Sequence, residues 1–257
     1  MEGINFAKEL SEKLDIPIIG VNHCIAHLEI GTNFGAKDPV MLYVSGANTQ
    51  VIAYASGKYR IFGETLDLGV GNFIDTVARF MGEGFPGGPK IQKLAEMSNH
   101  KNYIELPYTV KGMDIALSGI QTKIKQMIDF RAKNNPEKPM YKTSDLAYSL
   151  QETVFSMLVE VAERALAHTG KKELLLGGGV ACNSRLQEMC NIMCNERGCK
   201  LFVPDKSLLV DNGAMIAYLG EIMFKNNSNI VKPGTKKFQE LDINPRERTD
   251  DVFIDWK

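Results

Sequence analysis

The sequence lacks the segments that mark a secreted or membrane-bound protein. No apolar run reaches the length of a membrane span, and no basic, apolar leader of the secretory type opens the chain. Only five cysteines occur in 257 residues, and an odd number in a chain of this length indicates reduced thiols. These absences predict a cytoplasmic protein that does not associate with a membrane.

An excess of one charge is also missing. Thirty basic residues oppose 31 acidic ones, which gives a formal net charge of -1. A protein without a strong overall field attracts nucleic acid only through a local patch or a partner subunit. Lys111, Lys123 and Lys125 can contribute to such a patch, although solvated helix faces explain them better. The 44% hydrophobic and 24% charged content is that of an ordinary globular protein.

The cysteines follow no standard zinc-binding pattern. Cys190 and Cys194 share one face of a predicted helix and Cys199 lies just beyond, but this spacing matches no known type of zinc site. Buried thiols are the better interpretation, because free cysteines are among the most buried residues in globular proteins.

Two of the four histidines, His23 and His27, are four positions apart. That spacing places both rings on one face of a helix, one turn apart. Asn22 suits the N-cap of this helix, and Gly31 or Gly35 suits its end. The two imidazoles can hold one metal ion, although two histidines on a mixed helix can also simply pack and form hydrogen bonds.

A three-stranded meander is predicted after the histidine helix. Apolar runs over residues 40–45, 49–55 and 59–64 are separated by short turns, which favours antiparallel strands, and a helix is predicted over 73–81. This order resembles the opening of one lobe of an actin-like or sugar-kinase-like ATPase. In that fold the first turn, here residues 45–49, faces the phosphates of a nucleotide; a plain hairpin turn is the alternative.

Two glycine-rich segments precede helices. Residues 82–89 lead into a helix predicted over 90–97, and residues 177–183 join a predicted parallel strand, 173–176, to the next helix. A strand followed by glycines and a helix is a place where α/β proteins bind nucleotides. The second segment does not have the GxGxxG form, so a dinucleotide cofactor is not indicated.

Asp211 stands at the beginning of the last long predicted helix. Aspartate is common at the N-cap, where its carboxylate accepts hydrogen bonds from the first free N–H groups. It can equally supply a hard oxygen ligand that complements two imidazoles. The local sequence leaves both roles open.

Together these motifs resemble one family over nearly the whole chain. The family is the tRNA N6-adenosine threonylcarbamoyltransferases, in the archaeal and eukaryotic branch that supplies the catalytic subunit of the KEOPS complex. The Ser-Gly-Ala-Asn-Thr-Gln form at 45–50 is similar to the archaeal branch, since bacterial members usually have histidine where this chain has Asn48. The matching segments are residues 22–27, 43–50, 71–72 with Asp75, 86–89, 111–116, 178–181 with Asn183, and 211–217.

The resemblance implies an α/β fold of the actin-like ATPase class (ASKHA), built from duplicated ribonuclease-H-like lobes. Family members begin with about eighty further residues, judged against usual lobe sizes. We therefore expect an incomplete N-terminal lobe, with its remnant and the histidine helix at 1–37. The C-terminal lobe with the nucleotide cleft is expected at 38–225 and a C-terminal tail at 226–257.

The resemblance also implies the site residues. The metal ligands are expected to be His23, His27 and Asp211, with Tyr43 close by or coordinating, and the metal is iron or zinc. The residues expected to bind the substrate or its nucleotide part are Tyr43, Val44, Ser45, Gly46, Ala47, Asp75, Gly88, Gln92 and Asn183. Gln92 departs from the family pattern, which usually has glutamate there, and this change weakens a hydroxyl contact.

The implied reaction moves the threonylcarbamoyl group of threonylcarbamoyl-adenylate to N6 of the adenosine 3′ of the anticodon in tRNAs that read ANN codons. A metal that polarises the carbonyl suits this chemistry. AMP is a good leaving group, so no covalent enzyme intermediate is needed. The implied ligands and partners are the adenylate, ATP as a further nucleotide, tRNA, and the Bud-type kinase and small dimerising subunit of KEOPS.

Three other functions compete with the transferase. A truncated, non-catalytic KEOPS scaffold ranks second. A metallopeptidase is disfavoured because Cys24 stands where the zinc proteases have their general-base glutamate. An actin-like small-molecule kinase or ATPase requires nucleotide binding but does not require His23 and His27.

Overall fold

The computed structural model describes residues 2–134 and 141–257. The polar segment with Pro136 and Pro139, which the sequence predicts to be a surface connection, lies outside these residues. In the described ranges, no helix combines the length and apolar character that crossing a bilayer requires. The helices are α1 (Glu2–Leu14), α2 (His23–Glu29), α3 (Val70–Phe80), α4 (Gly87–Glu96), α5 (Ser118–Asn134), α6 (Thr143–Thr169), α7 (Ser184–Glu196), α8 (Lys206–Leu209), α9 (Gly213–Lys225) and α10 (Lys236–Glu240). The strands are β1 (Ile18–Ile19), β2 (Val40–Val44), β3 (Thr49–Ala55), β4 (Lys58–Glu64), β5 (Val110–Lys111), β6 (Asp114–Ile115), β7 (Glu173–Gly177), β8 (Lys200–Phe202) and β9 (Ile230–Val231).

A five-stranded mixed sheet, in the order β4-β3-β2-β7-β8, forms the centre of the molecule. β3 pairs antiparallel with both β2 and β4, so the predicted meander is confirmed. β7 lies parallel to β2 and to β8, as its apolar run predicts. In this register Tyr43 of β2 is beside Gly177 of β7, so the carboxyl ends of the two strands lie at the same edge of the sheet.

Each face of the sheet has its own hydrophobic cluster. Along β2, Val40, Leu42 and Val44 belong to a first cluster, which includes residues of α3, α4, α5, α6 and α7. Met41 and Tyr43 alternate to the other face and belong to a second cluster with residues of α2 and α9. Successive side chains of β2 point to opposite faces of the sheet, and both faces are buried. The strand therefore lies between two layers of helices.

β1 is shorter than the sequence predicts. The apolar run over 16–21 predicts a strand of that length, but only Ile18–Ile19 pairs, antiparallel with β9. The ladder extends only as far as its partner, and β9 has two residues. The polar C-terminal segment packs on the rest of the protein beyond β9. Ile254 is buried, and Trp256 Nε1 donates to Oε1 of the buried Glu29 at 2.9 Å.

Candidate metal centre and nucleotide cleft

The histidine helix α2 begins where the sequence predicts. The Asn22 side chain accepts hydrogen bonds from the N–H groups of Cys24 and Ile25 at 3.1 and 3.2 Å, so the predicted N-cap is confirmed. The rings of His23 and His27 lie on one face with their centroids 5.0 Å apart. The cap therefore fixes the start of the helix, and the spacing of one turn brings the two imidazoles together.

Asp211 completes a cluster with the two histidines. Its Oδ1 lies 3.1 Å from Nε2 of His23 and 3.1 Å from Nε2 of His27. The N-cap of α9 is the next residue, Asn212, whose side chain accepts the Met215 N–H at 2.9 Å. The N-cap alternative for Asp211 is therefore wrong: with that role filled by Asn212, its carboxylate faces the histidine pair.

The three side chains fit a divalent cation. Their nearest ligand atoms lie within 4.8 Å of one another, and they form the one such cluster in the described part of the chain. Burial lowers the pKa of His27, which favours the neutral imidazole that a metal ion requires. The His27 Nδ1 atom is buried and has no hydrogen-bond partner among the described residues, so Nε2 carries the ring's polar contact. Two imidazoles and one carboxylate suit zinc or iron.

Tyr43 adjoins this cluster from β2. Its ring centroid lies 4.9 Å from that of His27, and the residue is almost fully buried. Burial raises the pKa of the Tyr43 phenol well above its usual value. Without a bound metal ion, the Tyr43 phenol is therefore protonated. A cation bound beside it would lower the pKa of the phenol again.

A cavity of about 570 Å³ opens beside the same edge of the sheet. It is walled mainly by apolar side chains of the first cluster, among them Ile91, Val154 and Phe155. This volume lies in the range of small-molecule sites. Of the residues predicted to bind the substrate, those that line the cavity are Gly46, Asp75, Gly88, Gln92 and Asn183.

The other predicted substrate residues lie around this cavity without lining it. Val44 is fully buried in the first cluster, so only its backbone is close to the edge of the sheet. Tyr43 faces the metal cluster on the opposite side of β2. Ser45 is occupied within its turn, where its N–H donates to the Asn48 carbonyl at 2.8 Å and its hydroxyl accepts the Asn48 N–H at 3.0 Å. Ala47 lies in the same turn.

The polar side chains of the cavity are partly used to hold its walls. Asp75 Oδ1 accepts the Gly87 N–H at 2.7 Å, which fastens the glycine- and proline-rich loop to α3. Gln92 Nε2 donates to Ser184 Oγ at 3.0 Å and thereby links α4 to α7. The Asn183 side chain caps α7 by accepting the Arg185 N–H at 2.9 Å. These contacts give the cavity a fixed shape.

Some backbone N–H groups at this edge of the sheet form hydrogen bonds within the protein, and others do not. The Gly178 N–H donates to the Leu209 carbonyl at 2.9 Å, so it does not face a ligand. Among the described residues, the N–H groups of Gly46, Ala47, Gly179 and Val180 have no hydrogen-bond partner. Free backbone donors at the end of a strand are suited to an anionic group.

The cavity and the metal cluster meet at the carboxyl ends of β2 and β7. Gly178 has φ 90°, and a Cβ on it would stand 2.4 Å from the Val44 carbonyl oxygen, so the two strand ends approach closely only with glycine here. Val210 lines the cavity, and the next residue, Asp211, joins the histidines. A ligand in the cavity can therefore reach the cluster over the edge of the sheet.

The sequence did not indicate the apolar wall that α6 supplies. Leu150, Val154 and Phe155 line the cavity, but a long buried helix has apolar residues on several faces, and nothing in its pattern singles out these three. Phe85 at the cavity mouth was also missed, although its position between glycines and Pro86 was a usable signal.

The cysteines of α7 are packed in the protein interior. Cys190 and Cys194 are buried, and burial raises the pKa of Cys190 to about 12 and that of Cys194 to about 11. Such thiols remain protonated at neutral pH. The interpretation as buried thiols agrees with the structure.

Comparisons with known proteins point to one family. Residues 1–218 match the family model described as tRNA N6-adenosine threonylcarbamoyltransferase. The chain is 53% identical over 250 residues to the Thermococcus kodakarensis protein of that name, covering 97% of this chain and 72% of the relative. It is 54% identical over 256 residues to the Thermococcus gammatolerans protein, with the same two shares. A Methanosarcina mazei relative, named a probable bifunctional tRNA threonylcarbamoyladenosine biosynthesis protein, is 53% identical over 251 residues, which are 97% of this chain and 43% of that one.

Solved structures agree on the fold. Thermococcus kodakarensis HypF superposes with a TM-score of 0.66 at 16% identity, covering 92% of this chain and 40% of that one. Full-length HypF in a phosphate- and nucleotide-bound form gives 0.64 at 14% identity, covering 84% and 45%. The α/β fold predicted from the sequence is thus confirmed, and it is shared with HypF. With a family match over most of its length and curated relatives above half identity, the chain belongs to the tRNA N6-adenosine threonylcarbamoyltransferase family.

Proposed function

We propose that this protein transfers the threonylcarbamoyl group from threonylcarbamoyl-adenylate to N6 of the adenosine 3′ of the anticodon in tRNAs that read ANN codons. The observation that carries the proposal is the position of the His23, His27 and Asp211 cluster, at the same edge of the sheet as a cavity of nucleotide size. The family membership and the names of the relatives support the same reaction.

The metal is assigned to His23, His27 and Asp211, with Tyr43 as the neighbouring phenol. Zinc and iron both suit these ligands. A divalent metal bound there supplies a Lewis acid for the carbamoyl carbonyl.

The chain's own residues hold the adenylate. The apolar wall of Ile91, Val154 and Phe155 takes the adenine and excludes water. Asp75 has a second carboxylate oxygen beyond the one that holds Gly87, and this oxygen accepts from a ribose hydroxyl. The free N–H groups at the edge of the sheet, those of Gly46, Ala47, Gly179 and Val180, donate to the phosphate.

The reaction requires no covalent intermediate on the protein. The N6 amine attacks the carbonyl carbon and a new C–N bond forms. The bond from that carbon to the phosphate oxygen breaks, AMP leaves with the electron pair, and the proton that the amine loses passes to water. The role of the site is to orient the donor over the edge of the sheet and to keep its carbonyl where the RNA base can reach it. A Ser, Cys or Lys nucleophile is not needed.

We infer further that tRNA binding is shared with the KEOPS kinase and small dimerising subunit, in the cytoplasm, because the net charge of -1 gives this chain little attraction of its own for RNA. In the same proposal, residues 1–37 belong to an N-terminal lobe, 38–225 form the C-terminal lobe and 226–257 are a tail.

The test measures metal content and threonylcarbamoyl-adenosine formation on an anticodon-stem tRNA, with the adenylate and the KEOPS partners present. We expect the double variant His23→Ala/His27→Ala to lose both the metal and the product, whereas His100→Ala, which removes a histidine that stacks on Tyr148, keeps both. Product formed at the wild-type rate without metal would contradict the proposal. Partner binding without adenylate binding would instead favour the scaffold alternative.

A further inference from the structure

Phe85 is exposed at the mouth of the cavity. Its side chain is 85% exposed, the largest fraction among the large hydrophobic residues of the described ranges, and the residue also lines the cavity. An aromatic ring left in water loses the burial that usually stabilises it. Contiguous exposed apolar surface marks sites of contact with ligands or partners, and the Phe85 ring is continuous with the apolar wall of the cavity.

The exposure does not come from a loop that is detached from the protein. Asp75 Oδ1 accepts the Gly87 N–H at 2.7 Å, and a Cβ on Gly87 would stand 2.7 Å from the Ala78 Cβ. At the other end of the loop, the Glu83 N–H donates to the Ala78 carbonyl at 2.9 Å. The loop backbone is thus fastened to α3 on both sides of Phe85.

A cation accompanies the ring. Lys90 Nζ lies 3.0 Å from the point where a Cβ on Gly84 would stand, so the ammonium group is next to the residue that precedes Phe85. Proteins that bind single-stranded nucleic acid stack its bases on aromatic side chains and contact its phosphate backbone with nearby cations. We propose that Phe85 stacks on a base of the tRNA anticodon loop and that Lys90 contacts a phosphate of the same loop. This inference rests on the proposed function.

The position favours RNA over the small adenylate as the source of the stacked base. The interior wall of Ile91, Val154 and Phe155 already offers an enclosed apolar surface for the adenine of the donor. Phe85 extends outward from that wall, where a base of a large acceptor arrives from solvent. Single-stranded RNA loops are commonly bound by stacking of their unpaired bases on aromatic side chains.

The experiment uses an anticodon stem-loop RNA with the KEOPS partners present. The loop carries 2-aminopurine next to the acceptor adenosine, which keeps its N6 amine, and the fluorescence of 2-aminopurine is quenched by stacking. We expect Phe85→Ala to weaken RNA binding about tenfold and abolish the quenching, within the range that alanine substitution gives for base stacking. Phe85→Leu keeps an apolar side chain without a ring and should behave like Phe85→Ala, whereas Phe85→Trp should restore quenching. Phe224→Ala, which removes an exposed aromatic that lines no part of this cavity, should change nothing.

Lys90 is tested through the salt dependence of RNA binding. One lost phosphate contact lowers the slope of log K against log salt by about 0.7 for a single strand. We expect this change for Lys90→Gln and no change for Lys93→Gln. Lys93 is exposed on the same helix, but Lys90 Nζ is the atom of the described residues that lies next to Gly84.

Binding of AMP separates the possible outcomes. The proposal predicts AMP affinity within twofold of wild type for Phe85→Ala. An equal loss of AMP and RNA binding in Phe85→Ala assigns the ring to the small nucleotide and overturns the proposal. The proposal is also overturned if the wild-type protein binds the RNA without quenching or does not bind it at all. Stacking of the RNA without any product, when metal and adenylate are bound, contradicts the proposed reaction and leaves the stacking contact in place.

Discussion

At the scale of single residues, two adjacent residues before α9 have different roles in the site. Asn212 caps α9 and leaves Asp211 free to face the histidines. His27 is buried, with 1% of its side chain exposed, whereas the Asp211 side chain is 75% exposed. A carboxylate this exposed contributes little to folding, so its loss should affect metal binding and leave stability nearly unchanged.

Asp211→Asn tests this expectation. The amide keeps the size of the side chain but removes the negative charge that a divalent cation requires, so we expect metal affinity to fall by more than the roughly 10- to 100-fold that loss of a supporting hydrogen bond costs. Metal titration and elemental analysis give the result, and thermal unfolding checks the fold. Asp205→Asn changes an exposed carboxylate that makes no cap hydrogen bond, and it should bind metal as wild type does. An unchanged affinity in Asp211→Asn would remove Asp211 from the ligand set.

Gln92 shows why a departure from the family pattern must be judged in place. The expected effect of this change is the loss of a carboxylate for a hydroxyl contact. In the structure, Gln92 Nε2 donates to Ser184 Oγ at 3.0 Å and to Glu96 Oε1 at 3.1 Å. Glutamate there would have no donor and would face Glu96 one turn away. The amide therefore bonds to both Ser184 and Glu96. A carboxylate could still accept from the Ser184 hydroxyl, so the contact with Glu96 is the one that only the amide makes.

At the scale of elements, α5 begins at a cap that comes from elsewhere in the chain. Asp67 accepts the N–H groups of Leu117 and Ser118 at 2.9 and 3.0 Å, from a loop some fifty residues earlier. Partial burial alone raises the pKa of Asp67, but the hydrogen bonds from Leu117 and Ser118 outweigh it, and the net pKa is lowered. The charged form is thus the one that holds the start of the helix.

Asp67→Ala should destabilise the protein by about 0.5–1 kcal/mol at pH 7, a cap value reduced for the exposure of this carboxylate. Because the pKa is lower in the folded state, the contribution is fully present above the ordinary aspartate pKa of about 3.9 and is lost as pH falls through the folded value. Urea unfolding of the wild type and of Asp67→Ala at pH 7, 5 and 3.5 tests this expectation. The difference in their free energy of unfolding should be the same at pH 7 and pH 5 and smaller at pH 3.5. Asp129→Ala, on the exposed side of the same helix, should show no such trend; a pH-independent difference for Asp67→Ala contradicts the cap.

At the scale of the whole molecule, the central sheet separates two parts of one site. The cavity is walled by helices of the first cluster, and the side chains proposed as metal ligands come from α2 and from Asp211, two residues before the start of α9, on the other face. The two parts meet where β2 and β7 end, and Gly178 is the point of closest approach. The geometry of the complete site therefore depends on how closely these two strand ends lie together.

Gly178→Ala should disturb both halves of the site at once. The new Cβ meets the Val44 carbonyl oxygen at 2.4 Å, and φ 90° is unfavourable for alanine, so we expect a loss of about 2 kcal/mol or more in the free energy of unfolding. Metal and AMP binding should weaken together. Gly234→Ala has a similar φ of 74° but meets no atom within 4 Å, so it should cost about 1 kcal/mol and leave both ligands unaffected. Denaturant titrations and the two binding assays decide; unaltered metal and AMP affinity in Gly178→Ala would show that the two halves are independent.

The sequence by itself determined the local features of this protein. The spacing of His23 and His27, the cap at Asn22, the meander and the parallel strand all follow from interactions between residues close in the chain, where periodicity and capping chemistry act. The order of the motifs determined the family. These predictions needed no knowledge of how distant segments pack.

Only the tertiary structure showed that Asp211 lies beside the histidines, that α6 supplies a wall of the cavity and that Phe85 is exposed. Asp211 is 184 positions from His27, and its carboxylate meets the ring only because α2 and α9 pack on the same face of the sheet. A local pattern cannot distinguish a cap from a ligand, or a core residue from one that lines a cavity. Those differences arise from burial and from contacts between residues far apart in sequence, which exist only once the sheet has brought its two helical layers together.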